Sequence, residues 1–170
     1  MFIILSQRID FLSDYNDKPY EIYHYPKVYK NQIKSGDIFI YYQGDSKQRS
    51  NRYYYGCGVI GDIKESEDGY DYYAEILKGI EFPKKVPIYN PSGSYYEEIG
   101  KETEVSTKPA WQRSIRKLTE KAFDILLENA QLDPLIIKEL LILKFEQKVM
   151  KDELNSIKSN ISKSNNSGYF

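Results

Sequence analysis

A chain of 170 residues is long enough for one domain with a proper core and an appendage. Its formal net charge of −1 gives no global basic signal, so any contact with nucleic acid has to rest on local patches. The single cysteine, Cys57, excludes a disulfide framework and a cysteine-rich zinc site; in its apolar, glycine-rich setting it reads as a small buried hydrophobe.

Phe2-Ile3-Ile4-Leu5 predicts a first buried strand. It is too short for a signal peptide, no later run approaches a membrane span, and a cytoplasmic soluble protein is expected. Residues 6–19 read as a loop. An aromatic knot, Tyr23-His24-Tyr25-Pro26, then leads into a short helix over 26–34, with Pro26 in its first turn and Val28, Tyr29 and Ile33 packed on the sheet. Ser35-Gly36-Asp37 turns the chain into a strand over 37–43, apolar on both faces. A polar, basic loop follows, and 53–63 reads as the partner strand, its glycines at 56, 58 and 61 suggesting barrel curvature. After the turn Ser66-Glu67-Asp68-Gly69, residues 70–82 alternate as a half-exposed strand. Pro83-Lys84-Lys85 is expected to break it before a short further strand over 86–89. Residues 95–108 read as irregular.

From Trp111 the pattern turns helical. Residues 111–118 lead into a clear amphipathic helix over 119–130, and Asp133-Pro134 reads as the cap and first turn of a long one reaching 158. The Ser-, Asn- and Lys-rich residues 159–170 are expected to be a disordered tail. The long helix carries a seam, Ile136, Leu140, Leu143, Gln147, Met150, Leu154, Ile157 and Ile161, spaced 4-3-4-3-4-3-4. Its first half is expected to dock and its second half to project, pairing with a second copy or with a partner nuclease.

One histidine, His24, rules out an HNH-type nuclease centre, and no nucleophile elbow, phosphate loop or dinucleotide glycine pattern is present. The acidic residues Asp62, Glu65, Glu67, Asp68, Asp71 and Glu75 read as a solvated turn; a nuclease built on them is the enzymatic alternative. No catalytic residue, metal ligand or cofactor is assigned. Binding features are more visible. Basic residues gather in the 43–52 loop (Lys47, Arg49, Arg52) and again at Lys108, Arg113, Arg116, Lys117 and Lys121. On a helix, Arg113, Arg116 and Lys117 would share one face suited to phosphates. Tyrosine is unusually common, clustering at 20–29, 41–42, 53–55, 70–73 and 95–96, and Tyr41, Tyr42, Tyr53, Tyr54, Tyr55 and Trp111 interleave with the basic residues. Aromatic faces hold bases by stacking, and a flipped-out base needs such a pocket with a few polar groups at its edge. His24, Gln43 and Gln112 are candidates for those groups.

The segments Tyr23-His24-Tyr25-Pro26 with Tyr29, Ser35-Gly36-Asp37-Ile38-Phe39-Ile40-Tyr41-Tyr42 with Gly44, Tyr55-Gly56-Cys57-Gly58-Val59-Ile60-Gly61 and Trp111-Gln112-Arg113-Ser114-Ile115-Arg116 together resemble the EVE branch of the PUA-like superfamily, and within it the N-terminal reader domains of modification-dependent restriction proteins. The resemblance covers about residues 1–130. It implies an α+β fold: a small curved β-barrel with flanking helices, here followed by the long C-terminal helix. It implies an aromatic cage for a modified base flipped out of DNA, or of RNA in relatives. Tyr23, His24, Tyr25, Tyr41, Tyr42, Tyr55 and Trp111 are the expected base-binding set. Lys47, Arg49, Arg52, Arg113, Arg116 and Lys117 are the expected backbone-binding set. The expectation is a non-catalytic reader of methylated or otherwise modified DNA in prokaryotic defence, over residues 1–132, with the helix 133–158 and the tail 159–170 appended. The alternatives are an RNA-binding PUA-like module and a helix-mediated adaptor without a base ligand.

Overall fold

The computed structural model describes residues 1–7, 18–102 and 108–167, with Ser167 described by its backbone alone. Six strands form one mixed sheet: β1 Phe2–Ser6, β2 Ile22–Pro26, β3 Ile38–Gln43, β4 Tyr53–Glu65, β5 Asp71–Pro87 and β6 Ile115–Leu118. Their order is β2-β5-β4-β3-β1-β6, with β1 and β3 parallel and every other pair antiparallel. Two helices follow, α1 Glu120–Asn129 and α2 Pro134–Ser167.

The sheet curls, and its residues say why. Register shifts at Tyr41/Tyr42, Tyr54/Gly56, Val59/Ile60 and Ile60/Ile63 bend the three central strands. Gly56 and Gly79 lie under the ring of Tyr20, which a Cβ on either would overlap. The curl brings the sheet's two edges together: the Tyr23 hydroxyl on β2 donates to Ser6 O (3.1 Å) and Ser114 O (3.2 Å), beside β1 and β6.

Strand alternation splits the core in two. Along β3, Phe39 and Tyr41 face the inside of the curl, with Leu5, Tyr23, Tyr25, Tyr55 and Ile60. Ile38, Ile40 and Tyr42 face the other way, onto Phe123, Leu126 and Leu127 of α1 and Ile137 and Leu141 of α2. The fully buried β3 is the strand the sequence reads as apolar on both faces. Thr119 caps α1 by accepting from Ala122 N, and Asp133 accepts from Leu135 N and Ile136 N at the start of α2. Gly36 (φ +90°) makes the turn before β3, where a Cβ would stand 2.9 Å from the Phe145 ring of α2.

Four expectations change. Residues 22–26 are a strand, and the helix expected over 26–34 is a single 3₁₀ turn, Lys27–Tyr29; Val28 is exposed while Ile33 is buried. β5 runs through Pro83 without a break. The stretch 115–118 is the edge strand β6, not helix, so Arg113, Arg116 and Lys117 share no helix face. α2 continues to Ser167 through most of the expected tail; 168–170 lie outside the described residues, as do 8–17 of the first loop and 103–107. No described helix is long and apolar enough to cross a membrane.

This tyrosine-rich core makes stability fall at alkaline pH. Burial pushes the Cys57 thiol up to about 12, and burial followed by the neighbouring Tyr72 pushes Tyr25 up to about 12. Burial likewise raises Tyr54 and Tyr55. On unfolding, these groups regain their ordinary values, about 9 for the thiol and 10 for tyrosine, and release protons that the folded chain keeps. Between about pH 9 and 12 the unfolded state therefore binds fewer protons, and stability falls as pH rises. Urea midpoints measured across that window should decline steadily after a flat stretch near neutrality. A flat profile into the alkaline range would contradict the burial of these groups.

Candidate functional site

The 44–52 loop is built around Asp45. One carboxylate oxygen accepts from Lys47 N (2.8 Å) and Gln48 N (3.0 Å), and the other from Asn51 Nδ2 (3.3 Å). The Asp45 carbonyl accepts from Arg52 Nε at 2.8 Å, which fixes that guanidinium. Gly44 lets the loop lie on Tyr42, whose ring would be 3.3 Å from a Cβ there. From the other side, tight turns (Trp111 N to Pro109 O and Arg113 N to Ala110 O, both 2.9 Å) bring in Trp111. Its ring stacks on Tyr42 at 5.3 Å and 21°, and the Arg52 guanidinium stands 5.7 Å from its centroid. Tyr95 meets Trp111 edge-on at 5.6 Å, and Tyr89 lies 4.9 Å from Tyr95, which extends the aromatic row. Hydrogen bonds with Tyr95 and then Arg49 hold the Tyr89 hydroxyl below its ordinary range. Between loop and turn lies an open cleft of about 400 Å³, walled by Tyr42, Trp111 and Arg52, with Ser6, Asp45, Ser46 and Gln112 at its rim. The buried Trp111 Nε1 has no hydrogen-bond partner.

The cleft rests on a buried ionic knot. Arg116 Nε and Nη2 donate to the two carboxylate oxygens of Glu97 at 2.6 and 3.0 Å, and Nη1 donates to Arg113 O at 2.7 Å. The Tyr54 hydroxyl donates to the same carboxylate at 2.6 Å, and burial, then Glu97, holds that hydroxyl protonated. The guanidinium is 4.6 Å from the Tyr42 centroid and 5.4 Å from that of Trp111, so it braces both rings from within.

The 108–117 segment also lines a second concavity, about 560 Å³. Lys101, Lys108, Arg113 and Lys117 line it, with Glu97 and Glu98 at its wall; Lys101 is paired with Glu98 at 3.1 Å. Lys108, Arg113 and Lys117 are exposed. An aromatic cleft and a basic pocket therefore share one segment as lining.

The expected cage does not assemble as one group. Tyr42 and Trp111 meet, but Tyr23, Tyr25, Tyr41 and Tyr55 are core residues inside the curl, on the opposite face of the sheet. Tyr41 stacks on Tyr55 at 5.3 Å, and the Tyr55 hydroxyl donates to Gln7 O. His24 stacks on Tyr73 at 4.6 Å, with Nε2 3.4 Å from an Asp71 oxygen, so β2 and β5 occupy it away from the cleft. Gln43 is buried and donates to Gly44 O, while Gln112 is exposed at the rim. Of the expected backbone set, Arg52 walls the cleft, Lys47 and Arg49 are exposed on its loop, and Arg113 and Lys117 open onto the basic pocket. Arg116 is corrected: it is buried and spent on Glu97. Sequence reasoning gave no role to Glu97 or Tyr89, and it counted Tyr54 and Tyr95 among the tyrosine clusters without placing them in the site. The tyrosine pair at 95–96 was a signal, whereas nothing in the acidic run marks Glu97 as the buried one. The acidic residues 62–75 are spread along β4, the turn and β5, with Asp62 paired to Lys148. No family model, curated protein or solved structure matches this chain.

Proposed function

We propose that this chain is a nucleic-acid-binding module that takes one unstacked base in the Tyr42–Trp111–Arg52 cleft and the adjoining phosphates in the Lys108–Arg113–Lys117 pocket. One observation carries the reading: the 108–117 segment lines both, with Trp111 and Gln112 in the cleft and Lys108, Arg113 and Lys117 in the pocket. A π-face with a guanidinium beside it suits any base, and exposed cations suit a backbone. Ser6, Ser46, Asp45 and Gln112 offer donors and acceptors to a base edge. The resemblance to EVE-type PUA-like domains adds the ligand class, a modified base in DNA and a place in restriction or defence. The base then enters from outside the curled sheet, not among its core tyrosines.

A binding panel tests this, with short single- and double-stranded DNA and RNA, each plain and base-methylated, at two salt concentrations. Tighter binding of one modified ligand supports the full reading. Equal binding of modified and plain strands leaves a general single-strand binder. Absence of binding to every ligand at low salt overturns it. Arg113→Ala and Lys117→Ala should weaken modified and plain ligands alike, each lowering the slope of log affinity against log salt by about 1, because phosphate contacts release counterions without reading the base. A loss confined to the modified ligand would place these side chains on the base instead.

A further inference from the structure

Helix α2 docks on one side only. Ile137 and Leu141 are buried in the core, and Lys148 reaches Asp62 at 3.0 Å. Past Lys148 the helix leaves its own domain, and every side chain over residues 149–166 is exposed. From 150 to 167 the sequence holds four apolar residues, Met150, Leu154, Ile157 and Ile161, each at least half exposed. All four lie on the seam, which continues back through the docked half as Gln147, Leu143, Leu140 and Ile136. At 3.6 residues per turn the seam centres roughly 130° from the docked side, so the domain does not cover it. A projecting helix of this length has little stability in water without a partner for its apolar row.

The charges beside the seam specify that partner. With Ile136, Leu143, Met150 and Ile157 at d positions and Leu140, Gln147, Leu154 and Ile161 at a positions, the g positions are Glu139, Glu146 and Glu153. The e positions facing them are Lys144, Lys151 and Lys158. In a parallel, in-register pair each g residue meets the e residue five places on in the other helix, so every such contact is Glu with Lys. In an antiparallel pair g meets g and e meets e, Glu against Glu and Lys against Lys. Among the described residues none of these six has an ion-pair partner within its own chain.

We infer that α2 joins two copies of this chain in a parallel, in-register, two-stranded coiled coil. Leucine at a with isoleucine at d leans toward more strands in isolated helices. Here Ile137, the first e position, is already buried against the chain's own domain, and that leaves no room for neighbours on this flank. Gln147 faces its copy across the axis, a polar a position that fixes register at some cost in stability. Both sheet domains then stand at the same end of the coil; on the function proposed above, this presents two clefts to one nucleic acid.

Sedimentation equilibrium of the full chain should give twice the 20.0 kDa of one copy. Leu154→Asp with Ile157→Asp should give a single mass while the aromatic circular dichroism of the sheet domain stays unchanged. Leu143→Cys and Ile157→Cys, made separately and oxidised, should each cross-link to the same residue of the partner; an antiparallel pair permits one of the two at most. The native Cys57 is buried and stays out of the reaction. Glu146→Lys with Glu153→Lys should dissociate, and mixing it with Lys151→Glu, Lys158→Glu should restore the doubled mass. A single-copy mass at all concentrations, a trimer or tetramer, or failure of either cross-link overturns the inference. The coil is tested by mass and cross-linking alone, so it can fail or stand whatever the nucleic-acid panel shows.

Discussion

Glu97→Ala is expected to lower the stability of this chain by about 3–5 kcal/mol, among the largest losses any single substitution here can produce. The carboxylate accepts two hydrogen bonds from Arg116 and one from Tyr54, and all three residues are buried. Removing it leaves a guanidinium out of water with no counter-charge and a phenol with no acceptor. The remaining Arg116 Nη1 bond to Arg113 O cannot offset that. Replacing the pair together, Glu97→Leu with Arg116→Met, should recover most of the loss, because apolar side chains of similar volume need no solvation. Urea denaturation of Glu97→Leu, Arg116→Met and the double variant closes the cycle. A Glu97→Ala cost below about 1 kcal/mol would mean that water reaches the pair, in the range of an exposed ion pair. The loss should also reach the cleft, since Arg116 braces Tyr42 and Trp111 from beneath.

The contrast between Glu97 and β3 shows what a sequence makes visible. Residues 38–42 are apolar without interruption, and they are buried on both faces of the sheet as that pattern requires. Thr119, Asp133 and Pro134 mark helix starts through local chemistry, and both helices begin there. The misreadings came where partners distant in sequence decide. Pro83 reads as a strand breaker, yet β2 pairs only with residues 71–75 of β5, so at Pro83 that side of the strand has no ladder bond to lose. Ile115 and Leu118 have helical spacing, but pairing with β1 holds them extended. The cage failed by parity. Tyr41 and Tyr42 are adjacent in sequence and therefore on opposite faces, so at most one of them could meet Trp111.

Trp111→Ala is expected to weaken binding of a base-bearing ligand by about 1–3 kcal/mol, roughly five- to 150-fold, the cost of one lost stacking platform. Trp111 is the sharper probe of the cleft because it is partly exposed and belongs to a turn, whereas Tyr42 is buried against the core. Tyr42→Ala would open a cavity worth about 3–5 kcal/mol and confuse folding with binding. Trp111→Phe keeps a ring over Tyr42 and should recover most of the affinity, though not the Nε1 donor. If Trp111→Phe restores affinity but not preference for a modified base, the wider indole face does the discriminating. If both properties return, the ring alone acts. The salt dependence should stay unchanged in either variant, since no phosphate contact is removed. Titration of each variant at two salt concentrations separates these outcomes. A Trp111→Ala protein that stays folded and keeps full affinity and full discrimination would move the base out of this cleft.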